Sequence, residues 1–211
     1  MEKLLRRVDH LVFAVPVLEE GIEYIYHKLG VRAQIGGQHL GKGTWNALLA
    51  LSLDSYLEII APDPKQDRFG KGAWMEVDKI AAPRMIHWAA KVNPIEKVLQ
   101  SAAEQGIHFG ELSGGSRTKM NGDVISWTLT EPVSGDDGMI VPFLIDWEDS
   151  IHPANNLKQE CKLVSLEGMH PAPLQIARHL EVLKINMPVN PGHQVRLKAK
   201  IQSPKGIVDL F

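Results

Sequence analysis

Hydrophobic positions along the chain alternate between short β-type runs and helical spacing. The β-prone run at residues 8–15 leads into Leu18–Leu29, where apolar residues recur with the period of a helix. Gly30 follows the last apolar position, and a glycine just past the final turn commonly ends a helix. This opening therefore predicts a strand followed by a helix of about three turns.

The same order recurs twice along the chain. The run 85–92 precedes a helical pattern over 94–105 that Gly106 ends, and the run 162–166 precedes a helical pattern over 173–183. In the first two copies the helix is followed by three β-type runs separated by Gly-Gly, Asp-Ser or Asn-Gly turn signals. The pattern predicts two β-α-β-β-β modules that pair and share one core.

The third copy is shorter. Val195, Leu197, Ala199 and Ile201 alternate with basic residues, which is typical of a half-buried strand, and 206–210 is a further β-type run. We interpret this part as a partial β-α-β-β module. The fold class expected is α+β, with paired modules in a mixed sheet and a partial third module at the C-terminus.

Polar segments suggest how the chain is organised. The expected division is a first domain at 1–150, with modules at 8–62 and 84–147, and a partial third module at 160–211 packed on it. The segments 63–82 and 148–160 are polar and rich in charge, Pro or Gly, and are interpreted as linkers.

Composition excludes several classes of protein. The chain has 211 residues, 44% of them hydrophobic, with 23 Lys and Arg against 25 Asp and Glu, a balance typical of a folded globular protein. The near-neutral charge argues against a nucleic-acid partner, and no apolar run is long enough to span a membrane. The single cysteine, Cys161, cannot form an intramolecular disulfide, and the first residues do not resemble a signal peptide. We expect a cytoplasmic location, a small-molecule substrate and, as one possibility, a homodimer.

Four residues occupy matching places in the two modules. His10 and His87 lie in the opening strands, and Glu58 and Asp146 lie in the closing strands. All four sit among apolar residues, where an unpaired charge is unfavourable and a divalent ion satisfies imidazoles and carboxylates together. Mixed N/O ligation suits Zn, Mn, Fe or Ni. The alternative interpretation is hydrogen-bonded core histidines and edge carboxylates paired with Lys or Arg.

The sequence resembles the glyoxalase-like domain branch of the vicinal oxygen chelate superfamily, whose fold is also described as glyoxalase/bleomycin resistance/dioxygenase-like. The segments that carry the resemblance are 8–15, 36–48, 56–63 and 142–147. The resemblance implies a curved, half-open barrel around one metal. Its ligands would be His10, Glu58, His87 and Asp146, with Asp146 one methylene shorter than the usual Glu.

Further candidate residues lie in or next to glycine-rich turns, and Glu58 of the closing strand has a second candidate role. His39 is a candidate general base, because imidazole titrates near neutral pH, and Glu58 is a candidate catalytic carboxylate. Thr44 and Asn46 are candidates to bind a substrate oxygen, and Arg117 to bind a carboxylate. The alternative is that these are ordinary loop and turn residues. The remaining histidines that we assign to the surface or to loops are His152, His170 and His179.

Three functions remain open at this stage. The first is a metal-dependent enzyme of lyase, isomerase or dioxygenase type that stabilises an enediolate-like anion of a small oxygenated substrate. The second is a metal-independent protein that binds or sequesters a small molecule, with Trp45, Trp88 and Trp127 as stacking candidates or as ordinary core residues. The third is a structural or interaction role with no working cleft.

Overall fold

A computed structural model describes residues 5–66, 72–118 and 124–211, without the side chains of residues 117, 118 and 124. The first module contains β1 (Val8–Ala14), α1 (Leu18–Leu29), β2 (Gln34–His39), β3 (Thr44–Ser52) and β4 (Ser55–Pro62). The second contains β5 (Arg84–Lys91), α2 (Ile95–Ala103), β6 (Leu112–Thr118), β7 (Val124–Thr130), the short α3 (Asp137–Ile140) and β8 (Phe143–Asp146). The C-terminal part contains β9 (Lys162–His170), α4 (Pro173–Val182), β10 (Val189–Pro191), β11 (Arg196–Ser203) and β12 (Gly206–Leu210).

The two modules form one eight-stranded sheet in the order β2-β3-β4-β1-β5-β8-β7-β6. Each module has its first and last strands parallel and side by side, and the two modules join where β1 and β5 pair antiparallel. The sheet curls until its two edge strands, β2 and β6, contact each other. Its concave face therefore encloses a cleft, as the predicted half-open barrel requires.

The helices and the C-terminal sheet cover the outer face of the large sheet. Alternate residues of β1 face opposite ways: Leu11 and Phe13 belong to the large core with helix α1, and Val12 and Ala14 belong to a smaller cluster inside the curl. This is the alternation that a strand buried on both faces requires. Polar side chains on either buried face of such a sheet are shielded from solvent, so each needs a hydrogen-bond partner.

The C-terminal part forms a second sheet in the order β10-β9-β11-β12. Its apolar face joins the large core through Leu163, Leu197 and Ile201. The predicted α+β class and paired modules are confirmed, while the third part contains one short strand, β10, beyond the predicted β-α-β-β order. The expected domain division stays a prediction.

Both polar segments that we interpreted as linkers contain a 3₁₀ helix, at Trp74–Lys79 and Pro153–Asn156. The predicted turn at residues 121–122 lies outside the described residues. Within the described ranges, no helix is long and apolar enough to cross a membrane.

Candidate active site

A buried carboxylate lies between two histidines inside the curled sheet. Glu58, on β4, places Oε2 3.7 Å from Nε2 of His10 on β1, and Oε1 3.6 Å from Nε2 of His39 at the end of β2. All three side chains are buried. The sheet brings His10 and Glu58 together because β1 and β4 are parallel neighbours, with Val12 paired to Glu58.

Asp9 anchors His10 from behind. Oδ1 of Asp9 lies 2.8 Å from Nδ1 of His10, while Oδ2 accepts from Nε1 of Trp147 at 3.0 Å and lies 3.3 Å from Nε2 of His152. Burial raises the pKa of Asp9, but the hydrogen bonds from His10 and His152 outweigh it and hold that pKa well below its ordinary value. Asp9 is therefore ionised and accepts only, so Nδ1 is the protonated nitrogen of His10.

Asn46, on β3, links Glu58 to His39. Its Nδ2 donates to Oε1 of Glu58 at 2.6 Å and to Nε2 of His39 at 3.2 Å. His39 in turn donates from Nδ1 to Oγ1 of Thr44 at 2.9 Å. A glycine is required beside this group, since a Cβ at Gly36 would lie 2.2 Å from Oδ1 of Asn46. This contact explains one glycine of the Gly-Gly pair in physical terms.

The protonation pattern leaves lone pairs facing one another. With Nδ1 as the donor in both rings, His10 and His39 each turn Nε2 toward a Glu58 oxygen. An imidazole lone pair and a carboxylate oxygen repel each other in a buried site. The Asn46 amide relieves this repulsion at His39 by donating to both atoms, whereas the described contacts of His10 place no donor between its Nε2 and Oε2 of Glu58.

The cleft around Glu58 is small and mainly apolar. It has a volume of about 30 Å³ and is walled by aromatic side chains, namely Tyr56, Trp74, Trp127, Phe143 and Trp147. The Tyr56 ring stacks on His10 with ring centroids 4.7 Å apart, and Trp74 meets His39 edge-on at 5.4 Å. Aromatic walls exclude water and strengthen the electrostatic interactions of the groups inside.

The structure does not bring Asp146 to His10 and Glu58. On β8, Phe143 and Ile145 face the cleft, whereas Asp146 shares the opposite face with Leu144. Its carboxylate accepts from Nδ2 of Asn93, from the amide of Ile95 and from the amide of Glu148, at 3.0, 3.2 and 2.9 Å. Asp146 thus caps the N-terminus of α2, where a negative charge is favourable.

His87 is also separate from the Glu58 group. Its Nδ1 donates to the carbonyl oxygen of Gly138 at 2.7 Å, and burial lowers its pKa although that hydrogen bond opposes the change. An irregularity in the pairing of β1 with β5 places His87 opposite Val12 and leaves Ile86 as the extra residue. The His87 side chain lines a different, larger cavity.

Only some of the other predicted binding residues lie at the cleft. Thr44 and Asn46 are buried and hydrogen-bond to His39, so both help to position the side chains of the site. Their contact with a substrate stays a prediction. Arg117 lies on β6 opposite Ile125, but its side chain is outside the described residues. Of the three tryptophans, Trp127 lines the cleft, Trp45 packs against the large core, and Trp88 is buried with Nε1 donating to Ile140.

A protein-family model for the glyoxalase-like domain matches residues 8–183. The chain belongs to the glyoxalase-like domain family. The resemblance drawn from segments 8–15, 36–48, 56–63 and 142–147 is thereby confirmed. No curated protein matched the chain.

Solved structures resemble this glyoxalase-like chain to different degrees. A hypothetical protein from Staphylococcus aureus superposes with a TM-score of 0.67 at 14% identity, covering 90% of this chain and 87% of the other. A methylmalonyl-CoA epimerase from Mycobacterium tuberculosis gives a TM-score of 0.41 at 17% identity, covering 67% and 87%. A methylmalonyl-CoA epimerase from Streptomyces coelicolor with 2-nitronate-propionyl-CoA gives 0.41 at 16% identity, covering 67% and 95%.

The predicted set of four metal ligands does not fit this glyoxalase-like chain, because His87 and Asp146 are engaged elsewhere. Among the described residues, no group of three or more His, Cys, Asp or Glu side chains is arranged to hold a metal ion. The donor types that remain at the cleft, the imidazoles of His10 and His39 and the carboxylate of Glu58, are those that zinc-like ions prefer.

Several residues of the site were not among the sequence candidates. Asp9 was adjacent to His10 in an apolar strand, a signal that was available, whereas Trp74 and His152 lie in the segments interpreted as linkers. His152 lies in a loop, as expected, but its side chain is only 12% exposed and faces Asp9. His170 ends strand β9, is 7% exposed and pairs with Asp137, so its assignment to the surface or a loop was wrong.

Proposed function

We propose that this glyoxalase-like chain is an enzyme that transfers a proton at a carbon next to a carbonyl group in a small oxygenated substrate. The supporting observation is the buried Glu58 carboxylate with an anchored imidazole facing each of its oxygens. Proton transfer at such a carbon gives an enediolate-like anion, which is the chemistry common to isomerases, epimerases and many lyases.

In this proposal Glu58 removes the proton. Asn46 fixes the orientation of the carboxylate through the 2.6 Å hydrogen bond to Oε1, which leaves Oε2 on the side of His10. His10 then takes up the proton at Nε2, because the ionised Asp9 at Nδ1 stabilises the imidazolium form. His39, with Nε2 beside the other carboxylate oxygen, serves as the second group able to exchange a proton with the substrate.

A divalent cofactor is an alternative form of the proposal, since an ion on Nε2 of His10 would take the place of the proton there. Its candidate donors are Nε2 of His10, Nε2 of His39 and the Glu58 carboxylate, and its identity is open among Zn, Mn, Fe and Ni. When bound, such an ion acts as a Lewis acid on a substrate oxygen. Asp9 behind His10 is the type of partner that orients a metal-binding histidine.

Metal content tests the cofactor directly. Protein purified without chelator is analysed by inductively coupled plasma mass spectrometry, together with His10→Ala and the control His193→Ala, an exposed residue outside the cleft. We expect close to one equivalent of a divalent metal in the wild type and in the control, and loss of most of it in His10→Ala. A wild-type protein that neither retains nor takes up added metal contradicts this form of the proposal.

Deuterium exchange tests the proton transfer without knowledge of the product. The protein is incubated in D₂O with separate 2-oxo acids, 2-hydroxy aldehydes and acyl thioesters, and loss of the α-proton signal is followed by ¹H NMR. We expect exchange with at least one class, at a rate reduced about 10²-fold or more in Glu58→Gln. Glu104→Gln, an exposed residue at the end of α2, is the matched control. Equal rates in the two folded variants would refute the role of Glu58.

The binding-protein alternative has one observation in its favour. Trp127 and Trp147 form a tilted pair 5.5 Å apart in the wall of the cleft, a surface suited to an aromatic ligand. If this alternative holds, ligand binding persists unchanged in Glu58→Gln and no α-proton exchange occurs in any variant.

A further inference from the structure

A second cavity of about 520 Å³ adjoins the cleft, and we call it the outer chamber. Its wall includes Trp74, Ile86, His87, Glu131 and Met139. Trp74 lines both spaces, so the outer chamber and the cleft lie side by side.

The sizes of the two spaces assign them different roles. The cleft at Glu58, at about 30 Å³, is too small for a whole organic substrate. The outer chamber, at about 520 Å³, is within the range of pockets that hold small organic ligands. A substrate that presents its reacting atoms to Glu58 must therefore place the remainder of its structure in the outer chamber.

Most charges around the outer chamber are already paired. Glu131 accepts from Nζ of Lys42 at 2.5 Å and from Nε1 of Trp74 at 2.6 Å, and Lys79 pairs with Glu76 at 2.5 Å. The contact with Glu131 fixes the indole of Trp74 at the chamber wall. These pairings also remove Glu131 and Lys79 as partners for a ligand.

Arg84 differs from these residues. It lies at the start of β5 and lines the outer chamber, and within the described parts of the chain its guanidinium makes no hydrogen bond or ion pair. Asp136 is the other charged residue of the wall that has no ion pair within those parts; it is exposed, as Arg84 is, but its negative charge does not suit an anion. A free guanidinium above apolar walls is suited to a bidentate contact with a carboxylate or phosphate.

His87 adds a second polar point. Its Nδ1 donates to the Gly138 carbonyl, so Nε2 is an acceptor, and burial lowers its pKa and keeps the ring neutral. Ile86 and Met139 supply apolar surface close to it. The wall thus combines one cation, one hydrogen-bond acceptor and an apolar and indole surface.

We propose that the outer chamber binds the body of an organic anion, with the carboxylate or phosphate of the ligand on Arg84 and its apolar part on Trp74 and Ile86. This proposal rests on the proposed function only in taking the ligand to be the substrate of the Glu58 group. The binding of an anion in the outer chamber is measurable whether or not Glu58 transfers a proton.

The test uses three probes that share one apolar body: 2-naphthylacetate, 2-naphthyl phosphate and the uncharged 2-naphthylacetamide. Affinities are measured by isothermal titration calorimetry on the full chain. We expect at least one anion to bind about 10-fold more tightly than the amide, the effect of one charge-assisted hydrogen bond. The tighter anion identifies the head group that the site prefers.

Matched variants locate the effect. Arg84→Gln is expected to reduce the affinity for the anion about 10-fold, to that of the amide, whereas Arg178→Gln, an exposed residue of α4 outside the chamber, leaves it unchanged. In protein labelled with [methyl-¹³C]methionine, the probe should shift the signals of Met75 and Met139, which line the chamber, and not that of Met169 on the second sheet.

Specific results overturn the proposal. Any one of four results suffices: none of the probes binds at millimolar concentration, the anions and the amide bind with equal affinity, Arg84→Gln and Arg178→Gln have equal effects, or the NMR shifts are confined to Met169. Anion binding that depends on Arg84 without any α-proton exchange would support the chamber and refute the proposed enzyme. Exchange that Glu58→Gln abolishes, together with no anion binding, would refute the chamber alone.

Discussion

At the scale of single residues, Asp9 organises the site more than any residue that touches the cleft. It is fully buried, and nitrogen atoms of His10, Trp147 and His152 lie against its two carboxylate oxygens. Such a carboxylate is stable in the interior only because each oxygen is satisfied. The pairing of β1 with β5 makes this possible, because a register shift between Val8 and His10 leaves Asp9 as an extra residue on β1.

Asp9→Asn is therefore expected to destabilise the chain by about 3 kcal/mol, since the amide cannot accept from all three donors and a buried charge pair is broken. The measurement is urea unfolding followed by circular dichroism. Asp54→Asn is the control, because its ion pair with Lys91 is largely exposed and contributes about 1 kcal/mol or less. Equal losses in the two variants would show that Asp9 is not a structural anchor.

The buried thiol gives an independent prediction at this scale. Burial, with a smaller effect of Glu160, raises the pKa of Cys161 to about 11. At pH 8 only about one thiol in a thousand is then ionised, and the thiolate is the reactive form. We expect Ellman's reagent to label the native chain much more slowly than the chain in urea. Equal rates in the two conditions would contradict the buried position of Cys161.

Sequence reasoning found His10, His39 and Glu58 because imidazole and carboxylate groups in apolar or glycine-rich segments are unusual. Asp9 was conspicuous as an acidic residue in an apolar strand, but its pairing with His10 did not follow from the pattern. Adjacent residues of a regular strand face opposite sides, and the irregularity that relaxes this rule depends on the pairing with β5.

At the scale of elements, the helix boundaries follow from local chemistry. Helix α1 buries Leu18, Ile22, Ile25 and Leu29 on one face and ends at Gly30, whose φ of 78° is left-handed. The amide of Gly30 donates to the carbonyl oxygen of Tyr26 at 2.8 Å. Periodicity and a terminal glycine sufficed to predict this element, because both signals act within the helix itself.

Gly30→Ala tests this boundary. An alanine is strained at that φ, and its Cβ would lie 3.2 Å from the side chain of Lys205, so we expect a loss of about 1–2 kcal/mol. Gly114→Ala on β6 is the control, since nothing lies within 4 Å of the added Cβ. Thermal unfolding by calorimetry distinguishes the two, and an unchanged melting temperature for Gly30→Ala would contradict the strain.

The elements that sequence reasoning missed depend on long-range contacts. The 3₁₀ segment Trp74–Lys79 is polar in sequence and lacks periodicity, but the Trp74 amide donates to the Lys42 carbonyl and its indole donates to Glu131. The direction of the Asp146 side chain, away from the cleft, also depends on long-range contacts. Alternation along β8 puts Asp146 on the same face as Leu144, but which face encloses the cleft is decided by the curl of the whole sheet.

At the scale of the molecule, the C-terminal sheet closes the core of the two modules. Its residues Leu163, Leu197 and Ile201 are buried in the same cluster as Val8 of β1 and Trp88 of β5. The match to the glyoxalase-like domain also extends from residue 8 to residue 183, past the boundary that the polar segment 148–160 suggested. Both facts favour a single cooperative unit over two domains.

Cooperativity can be measured with one substitution in the C-terminal sheet. Ile201 on β11 is fully buried, so Ile201→Ala is expected to reduce the stability of the entire chain by about 2–5 kcal/mol. Ile207→Ala on β12, where the side chain is 59% exposed, is the control and should change stability by less than about 1 kcal/mol. Unfolding is followed by far-ultraviolet circular dichroism and by the fluorescence of the tryptophans, which lie outside the C-terminal sheet. If the chain is one unit, both signals report the same unfolding transition, and Ile201→Ala shifts that transition to lower denaturant. Separate transitions, with only the circular dichroism signal shifted to lower denaturant, would mean that residues 160–211 unfold independently and that the core is divided.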